Sequence, residues 1–279
     1  MDRRLDTRED GKRYQGYPAE GQNVWWVLWT GFCEGDWNMA VDEWLMATAA
    51  DRPPTLRLYG WHRPTVSLGR NERWRGAVRL AELHRLGVRL VRRPTGGRAV
   101  LHHRELTYSV TGVPDRDAAL CGRLEETLAR IATALSAGLR QLGVEAAIVE
   151  RRTPQGRRKG PCFESATRYE LRARGAKVVG SAQYRTATAF LQHGSIPAYP
   201  TLSDLHRIAG VEPRVSEKSD KPAPWRNLAA DETGRAIVRG FRESFAARVE
   251  QRGQGDLDLD AVRHLASRRY AHAAWTFRR

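Results

Sequence analysis

The sequence predicts an α+β fold, a mixed β-sheet covered by helices. Three observations predict it: short segments with strand-like patterning, Gly- and Pro-containing turns between them, and a few amphipathic helices interspersed with the strands. With 279 residues and a hydrophobic fraction of 41%, the chain can bury a sizeable core, and it fits one large domain or a domain with a small appendage.

Residues 1–22 mix Arg and Lys with Asp and Glu and read as a mobile polar extension. No apolar stretch follows their basic residues, so they do not form a secretory signal. Val24 to Trp29 forms the first expected strand, and a turn through Gly31 and Gly35 follows. Asp36 is the expected N-cap of a helix that carries Met39, Trp44, Leu45 and Met46 and closes at Pro53 and Pro54. Strands are expected at Thr55 to Tyr59 and Thr65 to Leu68, then a short helix from Leu80 to Leu86 that stops at Gly87. Val88 to Arg92 alternates apolar and basic residues as a half-buried strand does.

After the turn Pro94-Thr95-Gly96-Gly97, residues 98–101 and 106–111 are expected to pair as a hairpin. Leu124, Leu128, Ile131, Leu135, Leu139 and Leu142 recur at three- and four-residue steps, which places one apolar stripe on the longest helix. Gly143 ends it. The basic segment from Thr153 to Gly160 has no periodicity and reads as a mobile loop. Strands follow at Arg168 to Ala173, Lys177 to Ala182 and Thr188 to Ile196. Prolines among charges make 211–229 an internal linker or long loop, and helices at Ala236 to Gln251 and Leu259 to Arg269 complete the chain.

No run of about 18 apolar residues could span a bilayer, so a soluble protein with a cytoplasmic address is expected. Cys33, Cys121 and Cys162 are odd in number and far apart, which argues against a disulfide framework and a CxxC metal site. His102 and His103 are adjacent and face different ways on a strand, and HExxH is absent, so no metal site is expected. The Walker A and GxSxG patterns are absent as well. The net charge of +15 creates a field that attracts acidic partners. The arginines are scattered, without a basic tail or a nucleic-acid motif, and this argues against nucleic-acid binding as the main function.

Four segments carry candidate chemistry. In Arg92 to Val100, paired glycines allow backbone N–H groups to approach a ligand, and the flanking arginines supply charge-assisted donors. A surface hairpin turn explains the same residues. Cys162 follows a basic loop with Arg158 and Lys159 close by, a setting that lowers a thiol pKa. A buried small hydrophobe is the other reading; Cys33 and Cys121 lack the basic context and are read as structural. Lys177 opens an otherwise apolar strand and has the choice of a site or a solvated edge, while His193 and Gly194 stand near a strand end.

Taken in order, RRPTGGRAVLH at 92–102, ELTYSV at 105–110, PCFESATRYEL at 161–171, KVVGSAQ at 177–183 and LQHGSIP at 191–197 resemble the biotin/lipoate A/B protein ligase family. PPTLRLYGW at 53–61 and YAHAAWTFRR at 270–279 are similar to it too, and within it the chain resembles the LipM-type octanoyltransferases. The resemblance implies one catalytic domain over 23–279 that moves octanoyl from acyl carrier protein to a lipoyl domain such as the glycine cleavage H protein, without a cofactor. It implies that Cys162 forms an acyl-thioester and that Lys177 lowers its pKa and assists proton transfer. It further implies a substrate site built from Arg93, Gly96, Gly97, Arg98, Ala99, Val100, His102, Gly180, Ser181, Ala182, Gln183, His193 and Gly194.

ATP-dependent lipoate ligases in the family carry a third glycine where this chain has Arg98 and an Asn where it has Glu105, and they do not need the cysteine. Such a ligase is one alternative, and a lipoyl amidotransferase that also uses a cysteine is another. The GRGRxxR pattern of biotin ligases is missing. A basic scaffold or nucleic-acid binder is the non-enzyme alternative, and it would be indifferent to loss of Cys162.

Overall fold

A computed structural model describes residues 23–103, 105–114, 116–149, 170–174, 176–197, 208 and 229–279. The extension expected at 1–22, the basic loop with Cys162, and all but the last residue of the connection expected at 211–229 lie outside the described residues.

Strand β1 (Val24–Cys33) leads into helix α1 (Gly35–Ala47), a short 3-10 turn and strand β2 (Thr55–Trp61). Strand β3 (Thr65–Leu68), helix α2 (Leu80–Arg85), β4 (Arg89–Arg92) and β5 (Val100–His102) come next. Then follow β6 (Glu105–Gly112), helix α3 (Leu124–Arg140), β7 (Ala147–Val149), β8 (Glu170–Ala173), β9 (Ala176–Arg185) and β10 (Phe190–Pro197). The described chain finishes with α4 (Ala230–Ser244), β11 (Arg248–Arg252), α5 (Leu259–Leu265), a π-helical turn over Ala266–Tyr270 and α6 (Ala273–Thr276). No helix among the described residues is long and apolar enough to cross a membrane.

Eight strands form one mixed sheet in the order β11-β1-β2-β6-β10-β9-β8-β7, and three form a second in the order β4-β3-β5. In the large sheet β1 runs parallel to both neighbours, and the remaining neighbours pair antiparallel. Period-two alternation decides what each face meets. Trp25, Leu56, Leu58 and Tyr108 pack on one face against Ile131, Leu135 and Leu139 of α3 and Ile237 and Phe241 of α4. Each such side chain stabilises the fold by about 1.5–3 kcal/mol on burial. The two helices lie close because Gly138 and Gly240 sit at their crossing, where a Cβ on Gly240 would come within 2.4 Å of Ala134 O. On the other face, Leu28, Tyr59 and Trp61 meet Met39 and Leu45 of α1, with Val262 and Tyr270 behind them. The small sheet closes its own core with Val66, Leu68, Leu83, Ala99 and Leu101.

Several expectations need correction. Residues 98–101 and 106–111 do not pair with each other: β5 joins β3 in the small sheet, whereas β6 lies between β2 and β10. Leu101 is taken up by the small-sheet core and Leu106 by the large one, so the chain changes sheets between them. The helix expected from Ala236 to Gln251 stops at Ser244, and Arg248–Arg252 instead forms a parallel edge strand on β1. Ala246, at φ 46°, breaks the helical path, and Val249 then packs against the main core. The N-cap of α1 is Glu34, and Asp36 lies in the first turn. Leu124, expected in the apolar stripe of α3, is exposed.

Candidate active site

Between α1, the small sheet and strands β9 and β10 lies a cavity of about 90 Å³. Lys177, Gly180, Ser181 and Ala182 of β9 and His193, Gly194 and Ser195 of β10 form one side. Arg93, Gly97, Val100 and His102 line it as well, with Met39, Trp61 and Thr107. Ten of the residues expected at the site thus face one space. Four expected residues do not line it. Ala99 packs in the small-sheet core, Gly96 accepts from Arg93, Arg98 O accepts from Arg93 Nη2 at 2.8 Å, and Gln183 pairs with Gln192 at 3.1 Å.

The cavity wall rests on a buried polar cluster centred on Asp42, a residue that none of the sequence motifs contains. Asp42, on the buried face of α1, accepts from Arg57 Nη1 at 2.7 Å, Ser109 Oγ at 2.7 Å and Tyr59 OH at 2.9 Å. Its Oδ2 lies 3.0 Å from His193 Nδ1, and His193 Nε2 lies 2.6 Å from Thr95 Oγ1. Arg57 is fully buried and also donates to Thr30 Oγ1, Asn38 O and Asn38 Oδ1. One network therefore fixes α1, β2, β6, β10 and the Gly-Gly turn relative to each other.

Burial alone would raise the Asp42 carboxyl, but the Arg57 guanidinium, with the His193 and Ser109 contacts, holds it below the usual carboxylate range. Burial pushes the His193 imidazole down, toward its neutral form, against the opposing pull of Asp42. With a carboxylate at Nδ1, the neutral ring donates from Nδ1 and accepts the Thr95 hydroxyl proton at Nε2.

A second chain of polar contacts runs through His102 and Glu105. Ser67 Oγ lies 2.7 Å from His102 Nε2 and accepts from Arg93 Nη1 at 3.0 Å, and His102 Nδ1 lies 2.7 Å from Glu105 Oε1. Glu105 also accepts from Thr107 at 2.7 Å and Ser195 at 2.5 Å. The His102 ring stacks on Trp61 with centroids 3.9 Å apart. Arg93 directs its remaining donors to the main-chain oxygens of Ser67, Gly96 and Arg98, so it shapes the Gly-Gly turn from within. The turn is also pinned by Gly69, where a Cβ would fall 1.8 Å from Gly97 O.

Lys177 Nζ forms an ion pair with Glu170 Oε1 at 2.6 Å, with both side chains almost fully buried. The lysine thus enters the site from the start of β9 and is not a solvated edge residue. Cys33 and Cys121 are free thiols away from the cavity lining, and burial pushes the Cys33 thiol up. Among the described residues no cluster of His, Cys, Asp and Glu has the makings of a metal site. Asp42 and Arg57 do leave a signal in the sequence: each is a charge at a core-facing position, Asp42 between Met39 and Leu45 on the buried face of α1 and Arg57 between Leu56 and Leu58 in β2.

A family model for the lipoyl protein ligase A/B catalytic domain matches residues 34–230, well over half of the chain. The chain belongs to this family. The ligase-family domain is 45% identical to octanoyltransferase LipM of Symbiobacterium thermophilum, across 91% of this chain and 98% of that protein. It is 32% identical to octanoyltransferase LipM of Bacillus subtilis, across 92% and 99% of the two chains. Among solved structures it is similar to lipoate-protein ligase A bound with ATP, with a TM-score of 0.71 at 21% identity over 92% of this chain and 98% of the other. A bipartite lipoate protein ligase from Thermoplasma acidophilum gives a TM-score of 0.69 at 21% identity, over 92% and 96%. At that identity the structural likeness speaks for the fold, and it agrees with the mixed, helix-covered sheet expected from the sequence.

Proposed function

We propose that this chain transfers an octanoyl group from octanoyl-acyl carrier protein to a lysine of a lipoyl domain, such as the glycine cleavage H protein, in the cytoplasm. The observation that carries the reading is the similarity to octanoyltransferases over almost the whole length of both proteins. A lipoyl-domain acceptor is supported by the Thermoplasma relative, a lipoate protein ligase described together with its E2 lipoyl domain. The apolar contribution of Met39, Trp61, Val100 and Ala182 to the cavity suits an aliphatic chain.

In this reading the Cys162 thiolate attacks the donor carbonyl, a thioester to Cys162 forms, and the carrier thiolate leaves and takes up a proton. The acceptor amine then attacks that thioester, the amide forms, and the amine proton is released as the Cys162 thiolate is restored. In the same reading the thiol pKa of Cys162 is lowered by the positive charge that Lys177 supplies. Glu170, next to it, orients the ammonium group. The donor thioester is already activated, so neither a nucleotide nor a cofactor enters the scheme.

The test is incubation with octanoyl-acyl carrier protein in the absence of ATP, followed by intact-mass measurement of the enzyme and of a lipoyl domain. We expect a hydroxylamine-labile octanoyl adduct on the enzyme that Cys162→Ala abolishes, and an octanoylated lipoyl domain. Transfer that requires ATP, or that survives Cys162→Ala at the normal rate, overturns the reading.

A further inference from the structure

Three guanidinium groups surround one indole ring beside the site. The Arg269 guanidinium carbon lies 3.9 Å from the Trp275 ring centre, Arg278 lies at 4.5 Å and Arg70 at 5.9 Å. Arg70 also covers the Tyr184 ring at 4.6 Å. Stacking by its face restrains a guanidinium while leaving the N–H edges open for acceptors.

The local charge is not balanced from within the described residues. Glu43 is taken by Arg269 and Tyr270, and Glu72 accepts from the amides of Gly69 and Ala99. Among the described residues, Arg70, Arg278 and Arg279 have no carboxylate partner. Burial lowers the proton affinity of Arg278, and repulsion from Arg70, Arg279 and Arg269 lowers it further. Behind them, Arg92 is buried, its Nη2 has no acceptor among the described residues, and burial, Arg278 and Arg279 lower its proton affinity against the opposing pull of Glu72. Crowded like charges raise the free energy of the empty protein, and an anion placed between them would lower it.

The cluster adjoins the cavity. The Arg70 amide donates to Thr95 O at 2.7 Å, in the turn that places Gly97 on the cavity wall, and Tyr184 lies two residues beyond Ala182 on β9.

We propose that Arg70 and Arg278, which both face the Trp275 ring, form with the adjacent Arg279 a phosphate-binding site that holds the phosphate of the donor's pantetheine arm. The proposal rests on the thioester-donor reading above. That arm carries its phosphate whether it is attached to a carrier protein or to coenzyme A, and paired guanidinium N–H groups match phosphate oxygens.

The experiment compares 4'-phosphopantetheine with pantetheine as ligands by calorimetry, for the wild type and for Arg70→Gln/Arg278→Gln, with thermal unfolding as the control for folding. We expect the wild type to bind the phosphorylated compound about tenfold more tightly or better, as suits hydrogen bonds between charged groups. The double variant should narrow the difference to about threefold or less, and Arg70→Lys alone should keep part of it. Octanoyl-carrier protein, octanoyl-coenzyme A and octanoyl-pantetheine are then compared as donors, and loss of preference for the first alone in the variant identifies the carrier-borne phosphate as its source. Equal wild-type affinity for the two free compounds overturns the site, as does a folded double variant that keeps the full difference. If the phosphate preference is found but no octanoyl thioester reacts, the site stands and the transferase reading falls. If octanoyl thioesters turn over without any phosphate preference, the transferase reading stands and the site falls.

Discussion

Replacing Asp42 by Ala removes the only carboxylate that contacts the buried Arg57 guanidinium among the described residues, at 2.7 Å with both side chains fully inaccessible. Tyr59, Ser109 and His193 lose an acceptor in the same step. Breaking one side of a buried ion pair costs about 3–5 kcal/mol because the remaining charge stays desolvated. Arg57 retains Thr30 and Asn38 as partners, which puts the expected loss near the lower end, about 3 kcal/mol. Against a domain stability of about 5–15 kcal/mol, that is a large fraction. The double variant Asp42→Leu/Arg57→Met removes both charges and should recover most of the loss, since an apolar pair of similar volume is often as stable as a buried ion pair. Urea unfolding followed by tryptophan fluorescence gives each difference from the midpoint and slope. A loss below about 1 kcal/mol for Asp42→Ala, or a double variant no more stable than the single one, refutes the argument.

The other predictions concern the same frame. Because burial depresses His193, the unfolded chain binds the extra proton first as pH falls; its contribution is complete above the unfolded value of about 6.5 and is lost as pH falls through the folded value. The melting temperature should therefore fall from pH 7 toward pH 5, and His193→Gln should flatten that slope. Asp42 follows the same sign in a lower window, below about pH 4, where a further loss is expected in the wild type and not in Asp42→Asn. Gly69→Ala should cost about 1–3 kcal/mol and reduce transfer, since its Cβ would meet Gly97 O at 1.8 Å and push the Gly-Gly turn; unchanged urea midpoint and kcat/KM would contradict this. Lys177→Ala should raise the midpoint of the pH profile for Cys162 alkylation, and an unmoved midpoint assigns the lysine to another step. Raising salt should lower kcat/KM for a protein donor far more than for a small octanoyl thioester, and equal salt dependence of the two would argue against electrostatic docking.

The parts of the fold that are legible in the sequence are those set by local chemistry. Strand β3 is expected with its observed ends, because Pro64 and Gly69 bound a four-residue run of strand-forming residues. Edge strand β11 reads as helix, since its residues fit either state locally and only the pairing of Trp26 with Glu250, far away in sequence, decides. The same holds for β5 and β6, whose separation reflects which core receives Leu101 and which receives Leu106. At the site, Lys177, Gly97 and His193 are recognisable from their motifs. Thr95 and Glu170 lie within sequence motifs without being marked as partners, and Asp42 lies in none: His193 finds Thr95 and Asp42 at 98 and 151 residues' separation, and even the 7-residue step from Glu170 to Lys177 spans a strand turn that periodicity does not resolve.

The same reasoning divides the surplus of arginine into two kinds. The net charge of +15 suggests a diffuse surface field, which salt at physiological strength screens over about 8 Å. Arg92 behaves differently, because it is buried and donates to the main-chain oxygens of Gly69, Glu72, Trp275 and Thr276. Carbonyl oxygens accept from its Nε and Nη1 without cancelling its charge, and Nη2 has no acceptor among the described residues, so a positive potential persists beside the Gly-Gly turn where solvent ions do not reach. Docking of a protein donor and recognition of its phosphate should therefore respond differently to salt. The first depends on separated surface charges and should fade, whereas the second, supported by a buried cation and by arginines stacked on Trp275, should retain most of its discrimination between 4'-phosphopantetheine and pantetheine at the same ionic strength. If both fall in parallel, the cluster belongs to the general surface field, and Arg92 serves only to tie the turn to the segment around Trp275.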